Sequence, residues 1–133
     1  NAPVDAVLVD APCSATGTIR RRPDILNKRD AEDISALQQL QWELATNALN
    51  WLRAGGCMVY ATCSLQPEEG EDIISAILDG SDGQYAIDPI KSVQAGIFAR
   101  SITENGCIRI LPNDYIDIGG VDGFFIARLM SLN

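Results

Sequence analysis

Two apolar runs of strand length stand on either side of a long segment with helical periodicity. This alternation restricts the fold more than any other feature of the chain. Val4 to Val9 is apolar apart from Asp5, and Cys57-Met58-Val59-Tyr60-Ala61 is apolar throughout; both read as strands buried in a parallel sheet. Between them, Asp30 reads as a helix N-cap, with Glu32 and Asp33 in the first turn, where the helix dipole favours acids. Apolar positions at Ile34, Leu37, Leu40, Leu44, Ala48, Leu49 and Leu52 recur at spacings of three and four and predict one buried face of a long helix, ended by Gly55-Gly56. A second helix is expected from Pro67, with Glu68 and Glu69 in its first turn and Ile73, Ile74, Ile77 and Leu78 on its buried face. Residues 79–83 and 112–123 read as loops, and 85–102 as a short strand followed by an irregular stretch. Cys107 to Leu111 and Phe124 to Leu129 are late strands with no long helix between them, so they are expected to pair antiparallel. The order strand, helix, strand, helix, two strands means an α/β layered architecture with right-handed crossovers.

A chain of 133 residues with 47% hydrophobic content can bury one core. No apolar run approaches the roughly 20 residues that span a bilayer. The start, Asn1-Ala2-Pro3-Val4-Asp5, has neither a charged n-region nor an apolar h-region, so no signal peptide is read there. It also lacks an initiator methionine and begins almost on a strand, and the expectation is a piece of a longer protein. Net charge is −8, which alone argues against a nucleic-acid partner. Yet five of the ten Lys and Arg residues fall in one short stretch: Arg20, Arg21, Arg22, Lys28 and Arg29. From charge alone the stretch reads as a solvated loop; a basic patch on an acidic body can also steer a phosphate backbone.

The chain has no histidine and four cysteines, Cys13, Cys57, Cys63 and Cys107. None form a C-x-x-C pair, so no metal site is expected. The missing signal peptide points to a reducing, cytoplasmic compartment and free thiols rather than disulfides. Cys57 and Cys107 lie in apolar runs and read as small core residues. The other two are different. Each follows a strand, in Asp10-Ala11-Pro12-Cys13-Ser14 and Thr62-Cys63-Ser64, and the carboxyl ends of neighbouring parallel strands open into a shared ligand crevice. Taken alone, each could be an inert strand-end residue. Two thiols delivered to one crevice also suit covalent chemistry, because a thiolate is a strong nucleophile once its pKa approaches ambient pH. Pro12 makes the first turn rigid. Asp10 either caps that turn or presents its carboxylate to the crevice. Backbone N–H groups of the helix near Pro67 would favour a Cys63 thiolate, and Glu68 and Glu69 would oppose it.

Residues 10–25, Asp-Ala-Pro-Cys-Ser-Ala-Thr-Gly-Thr-Ile-Arg-Arg-Arg-Pro-Asp-Ile, resemble motif IV of the Sun-type (Fmu) RNA (cytosine-5) methyltransferases. Thr62-Cys63-Ser64 with Pro67-Glu68-Glu69 resembles their motif VI. Arg109-Ile110-Leu111-Pro112 followed by Asp122-Gly123-Phe124-Phe125-Ile126-Ala127-Arg128-Leu129 resembles their closing strand. Three motifs in the family's order make a specific signal. The resemblance implies the C-terminal half of a Rossmann-like S-adenosylmethionine-dependent fold, a mostly parallel sheet with a late antiparallel strand. Residues 1–133 would form a partial catalytic domain, from motif IV to the closing strand.

The resemblance further implies that Cys63 attacks C6 of a cytosine and that Cys13 assists release of the methylated base. Asp10 and Pro12 would line the site beside S-adenosylmethionine, with Asp10 also facing the base. Arg20, Arg21 and Arg22 would contact RNA, with 16S ribosomal RNA as the substrate and no membrane or metal involved. The target base would leave its stack to reach the pocket. DNA cytosine methyltransferases share the carbon chemistry but use the motif IV cysteine and lack the Thr-Cys-Ser element. Two other readings stay open: a non-catalytic RNA-binding module of the same fold, and a thiol redox module using Cys13 and Cys63.

The chain departs from the family at Gly70, where Asn is usual. The family's glycine-rich cofactor loop and ribose-binding acid precede motif IV, and nothing before Asp10 matches them. The fragment is therefore expected to bind cofactor poorly and to be inactive alone. Its first strand is expected to have an unpaired apolar edge at residues 5–10 through which it self-associates.

Overall fold

The computed structural model describes residues 3–27 and 30–133. Lys28 and Arg29, part of the basic stretch, lie outside the described residues. Five strands form one sheet: β1 (Val4–Asp10), β2 (Leu52–Thr62), β3 (Tyr85–Ile87), β4 (Ile108–Ile110) and β5 (Phe124–Ser131). The helices are α1 (Ala31–Leu49), α2 (Glu71–Gly80) and the short α3 (Ser92–Ala95). β1 pairs parallel with β2, while β2, β3 and β4 each pair antiparallel with β5. The first four strands therefore run one way and only β5 is reversed. β2 occupies one edge of β5, and β3 and β4 follow each other along its other edge, on Leu129–Ser131 and Phe124–Ile126.

Side chains alternate along β5 as strand geometry requires. Phe125, Ala127 and Leu129 are buried in the main core with Met58, Tyr60, Ile73, Ile74 and Ile77. Phe124 and Ile126, on the opposite face, pack with Ile108, Ile110 and Tyr115 in a second cluster. Helix α1 starts as expected: Asp30 accepts a hydrogen bond from the Asp33 amide (2.9 Å), and the Asp33 side chain accepts one from Asp30 N. This reciprocal cap satisfies N–H groups that the first turn leaves free.

Four expectations change. α1 ends at Leu49, and Leu52 belongs to β2. Gly55-Gly56 lies inside β2, where Gly55 adopts φ +71° and the pairing jumps from Val4–Leu52 to Ala6–Cys57; the glycine permits a bulge rather than a helix stop. The α1 face is rotated, with Leu40 and Leu44 exposed at 42% and 40% while Gln41 is fully buried. From that buried face Gln41 Nε2 donates to Pro12 O and Glu69 Oε1, while its Oε1 is buried without a partner. Finally, β1 is largely exposed rather than buried, while its unpaired edge is the one expected. It pairs only with β2 among the described residues, and Leu8 is 70% exposed.

Candidate active site

Because β1 and β2 are parallel neighbours, their carboxyl ends lie side by side, with Asp10 opposite Ala61. The Ala11 amide donates to the Ala61 carbonyl (3.0 Å), extending the ladder by one step. The chains then turn, and the two turns are stitched together. Gly17 N donates to Cys63 O (2.9 Å), Gly123 N donates to Gly17 O (2.8 Å), and Leu65 N donates to Thr16 Oγ1 (2.9 Å). A Cβ at Gly17 would lie 2.2 Å from the Gly123 carbonyl oxygen, so only glycine allows this approach.

The result places the Cys13 and Cys63 sulfurs 3.5 Å apart, both half-buried and both free thiols. The contact separates the two chemically. Hydrogen bonding from Cys13 brings the Cys63 pKa down from 9.0 to about 7, against the opposing effects of burial, Asp10 and Asp122. The same hydrogen bond, followed by burial, pushes the Cys13 thiol far up. Either sulfur can donate across this contact; the opposite directions of the two shifts favour Cys13 as the S–H donor and Cys63 as the thiolate. The direction left open in the sequence is downward, and its first cause is the second sulfur rather than a helix terminus.

Behind the sulfurs lies a polar cluster that the sequence reading missed. Glu69, read as an acid in an exposed first helical turn, is fully buried, while Glu68 stays exposed. Glu69 Oε1 accepts from Ser14 N (2.8 Å) and Gln41 Nε2 (3.0 Å). Its Oε2 accepts from both the Ser14 and Ser64 hydroxyls. Gln41 Nε2 also donates to Pro12 O (2.8 Å), and Tyr60 OH donates to Glu69 O (2.8 Å). Arg109 Nη1 donates to Ser64 O (2.6 Å) while its other nitrogens hold Glu71. A signal was present in the sequence: each cysteine is followed by a serine.

The remaining predicted residues have their own partners. Asp10 and Pro12 are exposed at the end of β1. Arg20 Nη1 donates to Gly119 O (2.7 Å), Arg22 lies 3.7 Å from Asp24, and Arg21 forms a two-nitrogen ion pair with Asp122. That guanidinium holds the Asp122 carboxyl below its usual range. Arg21 is also close enough for the Cys63 charge to act on it. Cys107 is buried as expected, while Cys57 is only half-buried. Among the described residues no cluster of three or more His, Cys, Asp or Glu could hold a metal, and no helix is long and apolar enough to cross a membrane.

The profile of the family described as 16S rRNA methyltransferase RsmB/F matches residues 1–130. Ribosomal RNA small subunit methyltransferase B of Pseudomonas syringae pv. tomato is 42% identical over 130 residues, which are 98% of this chain and 28% of that protein. The protein of the same name from Shewanella oneidensis is 51% identical over 126 residues, covering 95% and 27%. The crystal structure of NSun6 from Pyrococcus horikoshii with SFG superposes with a TM-score of 0.75 at 29% identity, over 99% of this chain and 31% of that one. The chain therefore spans little more than a quarter of the length of these curated relatives. Its α/β sheet with one late reversed strand is the portion of the Rossmann-like methyltransferase fold that the motifs implied. A profile match over nearly every residue, at these identities, makes the assignment that the three motifs suggested: the chain belongs to the 16S rRNA methyltransferase RsmB/F family.

Proposed function

We propose that the chain carries the nucleophile side of an S-adenosylmethionine-dependent methyltransferase that modifies C5 of a cytosine in small-subunit ribosomal RNA. The observation that carries the reading is the sulfur pair, a low-pKa thiol in contact with a second thiol that donates to it. The names of the curated relatives support ribosomal RNA as the substrate. SFG, an S-adenosylmethionine analogue, in the NSun6 structure supports the cofactor.

Ring carbons of cytosine are poor nucleophiles. Addition of Cys63 Sγ to C6 pushes electron density to C5 and makes it reactive. When bound, S-adenosylmethionine supplies the methyl group. The C5 proton then passes to solvent water, its electron pair re-forms the C5–C6 double bond, the Cys63–C6 bond breaks, and the thiolate leaves. A sulfur suits both the attacking and the leaving role because it is nucleophilic yet stable as an anion. The Cys13 S–H, donating to Cys63, stabilises that anion before attack and again at departure.

Asp10 is near enough to act electrostatically on Cys63, and in this reading its carboxylate would accept from the exocyclic amino group of the base. On the cofactor side, Asp10 and Pro12, both exposed at the end of β1, would hold one end of a bound S-adenosylmethionine. The glycine-rich loop and ribose-binding acid of the family have no counterpart in this sequence, and cofactor binding by the 133-residue chain alone is expected to be weak. Arg20, Arg21 and Arg22 are the RNA phosphate contacts of this reading. A reducing cytoplasm suits free thiols.

The test is trapping. Intact protein is incubated with RNA carrying 5-azacytidine, and the cross-linked residue is mapped. A bond at Cys63 is expected; a bond at Cys13 would exchange the two roles. The 3.5 Å sulfur contact also fits a second reading, a thiol redox pair. That reading predicts a reversible Cys13–Cys63 disulfide and no RNA adduct.

A further inference from the structure

Glu69 is a fully buried acid that the mechanism above does not use. Among the described residues no cation is paired with it; four hydrogen-bond donors surround it instead. Buried carboxylates are costly unless every oxygen is satisfied, and three of these four bonds come from the two serines that follow the cysteines. Building on the function proposed above, we propose that Glu69 is the positioning residue of the thiol pair: by gripping the serine after each cysteine it fixes the contact between the two sulfurs.

The grip is unequal. On the motif IV side Glu69 holds the Ser14 N–H, which belongs to the peptide unit of Cys13 itself, as well as the Ser14 hydroxyl. On the other side it holds only the Ser64 hydroxyl, and Cys63 is separately anchored by Gly17 N and, through Ser64 O, by Arg109. Gln41 ties the same carboxylate to Pro12 O, one residue before Cys13. The peptide units on both sides of Cys13 therefore depend on Glu69 or on its Gln41 partner, while Cys63 has other supports. Losing the carboxylate moves Cys13 away from Cys63 rather than the reverse. Glu69 does not touch substrate; it acts through Cys13.

This dependence distinguishes positioning from a general structural role. In the intact protein, the pH dependence of Cys63 alkylation by iodoacetamide is followed by peptide mass for wild type, Glu69→Gln, Cys13→Ala and the double variant. Glu69→Gln is expected to raise the midpoint by about one pH unit, roughly a fivefold slower reaction at pH 7. In the Cys13→Ala background it should change nothing further, because residues acting through one another are not additive. An unchanged midpoint in Glu69→Gln, or effects that multiply in the double variant, overturns the proposal.

If Glu69→Gln does not fold, Gln41→Leu removes the tie between the carboxylate and Pro12 O and leaves both serine arms in place. The same direction of shift is expected, and its absence overturns the proposal. Alkylation needs neither RNA nor cofactor. A protein that shows the predicted alkylation pattern but never forms the 5-azacytidine adduct would refute the proposed function and leave the role of Glu69 standing.

Discussion

The carboxyl end of the β1–β2 pair and the free flank of β1 adjoin each other, yet they are built on opposite principles. At the carboxyl end, polar groups are buried and mostly paired: both Glu69 carboxylate oxygens are satisfied by Ser14, Ser64 and Gln41, Gln41 Oε1 is left without a partner, and backbone bonds cross between the two turns. Along the flank, apolar groups are exposed. Leu8 and Trp51 are 70% and 61% open, and Leu44 joins them in a shallow groove beside Val7 and Asp10. A largely satisfied network holds its own shape. An apolar edge strand with unpaired N–H and C=O groups is a surface made to be covered. The polar network behind the two thiols is held together within the chain, while the flank beside it is open.

Removing the sulfur that the network presents tests the comparison most severely. Cys63→Ala in the intact protein is expected to lower methylation on the order of 10⁴-fold or more, in line with the loss of other covalent nucleophiles. The thermal midpoint should scarcely move, because the side chain is half-buried and holds no other element. Steady-state methylation and a melting curve measure the two. Methylation that survives the change would favour the non-catalytic RNA-binding module.

Cys13→Ala is expected to have the next largest effect and a different signature. With its hydrogen-bond donor gone, the Cys63 pKa rises from about 7 toward 9.0. An acid with a lowered pKa is the thiolate above that value and the thiol below it. The wild-type alkylation rate should therefore climb through pH 7 and level off near pH 8, and the variant curve should shift to higher pH. At pH 7 the loss is roughly tenfold or more. Trapped adducts should accumulate while turnover falls, because departure of the anion also loses its donor. A curve that does not shift would mean the sulfur contact does not set the Cys63 charge.

Gly70 tests how tightly the network is backed. A Cβ there would lie 2.7 Å from Arg109 Nη2 and 2.9 Å from Phe125 Cγ. Arg109 stacks over the Phe125 ring at 4.8 Å, pairs with Glu71, and donates to Ser64 O. Gly70→Ala must displace that guanidinium and is expected to cost about 1–3 kcal/mol, as overpacking does, measured by denaturant unfolding. The Asn usual at this position in the Sun-type family requires a different Arg109 placement, and Gly70→Asn should be at least as destabilising here. A neutral result would show that the wall behind Ser64 is pliable.

What the sequence disclosed divides along the same line. Strand runs, the Asp30 cap, the element order and the delivery of two cysteines to neighbouring strand ends were legible because each is a local pattern: an apolar run, a capping residue, a Pro-Cys turn. The single reversed strand was legible too, since β4 and β5 have no long helix between them. The polar network was not. Glu69 stands among Glu68, Glu71 and Asp72, and local chemistry gives all four the same reading as acids at a helix start. Only packing against Ser14, some 55 positions away, distinguishes it. Gln41 was hidden for a matching reason, as a polar residue within an apolar helical spacing whose partners, Glu69 and Pro12, lie far along the chain. Leu40 and Leu44 misled in the other direction, because hydrophobic periodicity marks a face to be covered without saying that this chain covers it.

The smallest expected effect concerns the flank. Leu8 lies on an open edge and makes little use of the core, so Leu8→Lys should change the stability of the folded chain by no more than about 0.5 kcal/mol. Its effect on association should be large by comparison. A lysine on an edge strand discourages a second strand from pairing there, since the incoming chain would have to desolvate the charge. Sedimentation of the 133-residue chain should show self-association at high concentration, strongly reduced in Leu8→Lys at unchanged unfolding midpoint. Val93, equally apolar and 88% exposed but carried on α3 away from the β1 edge, provides the control. If Val93→Lys suppresses association as well as Leu8→Lys does, contact is driven by general surface hydrophobicity. If neither does and the chain stays monomeric, the β1 flank is tolerated in water as it stands, and the contrast with the buried network loses its meaning.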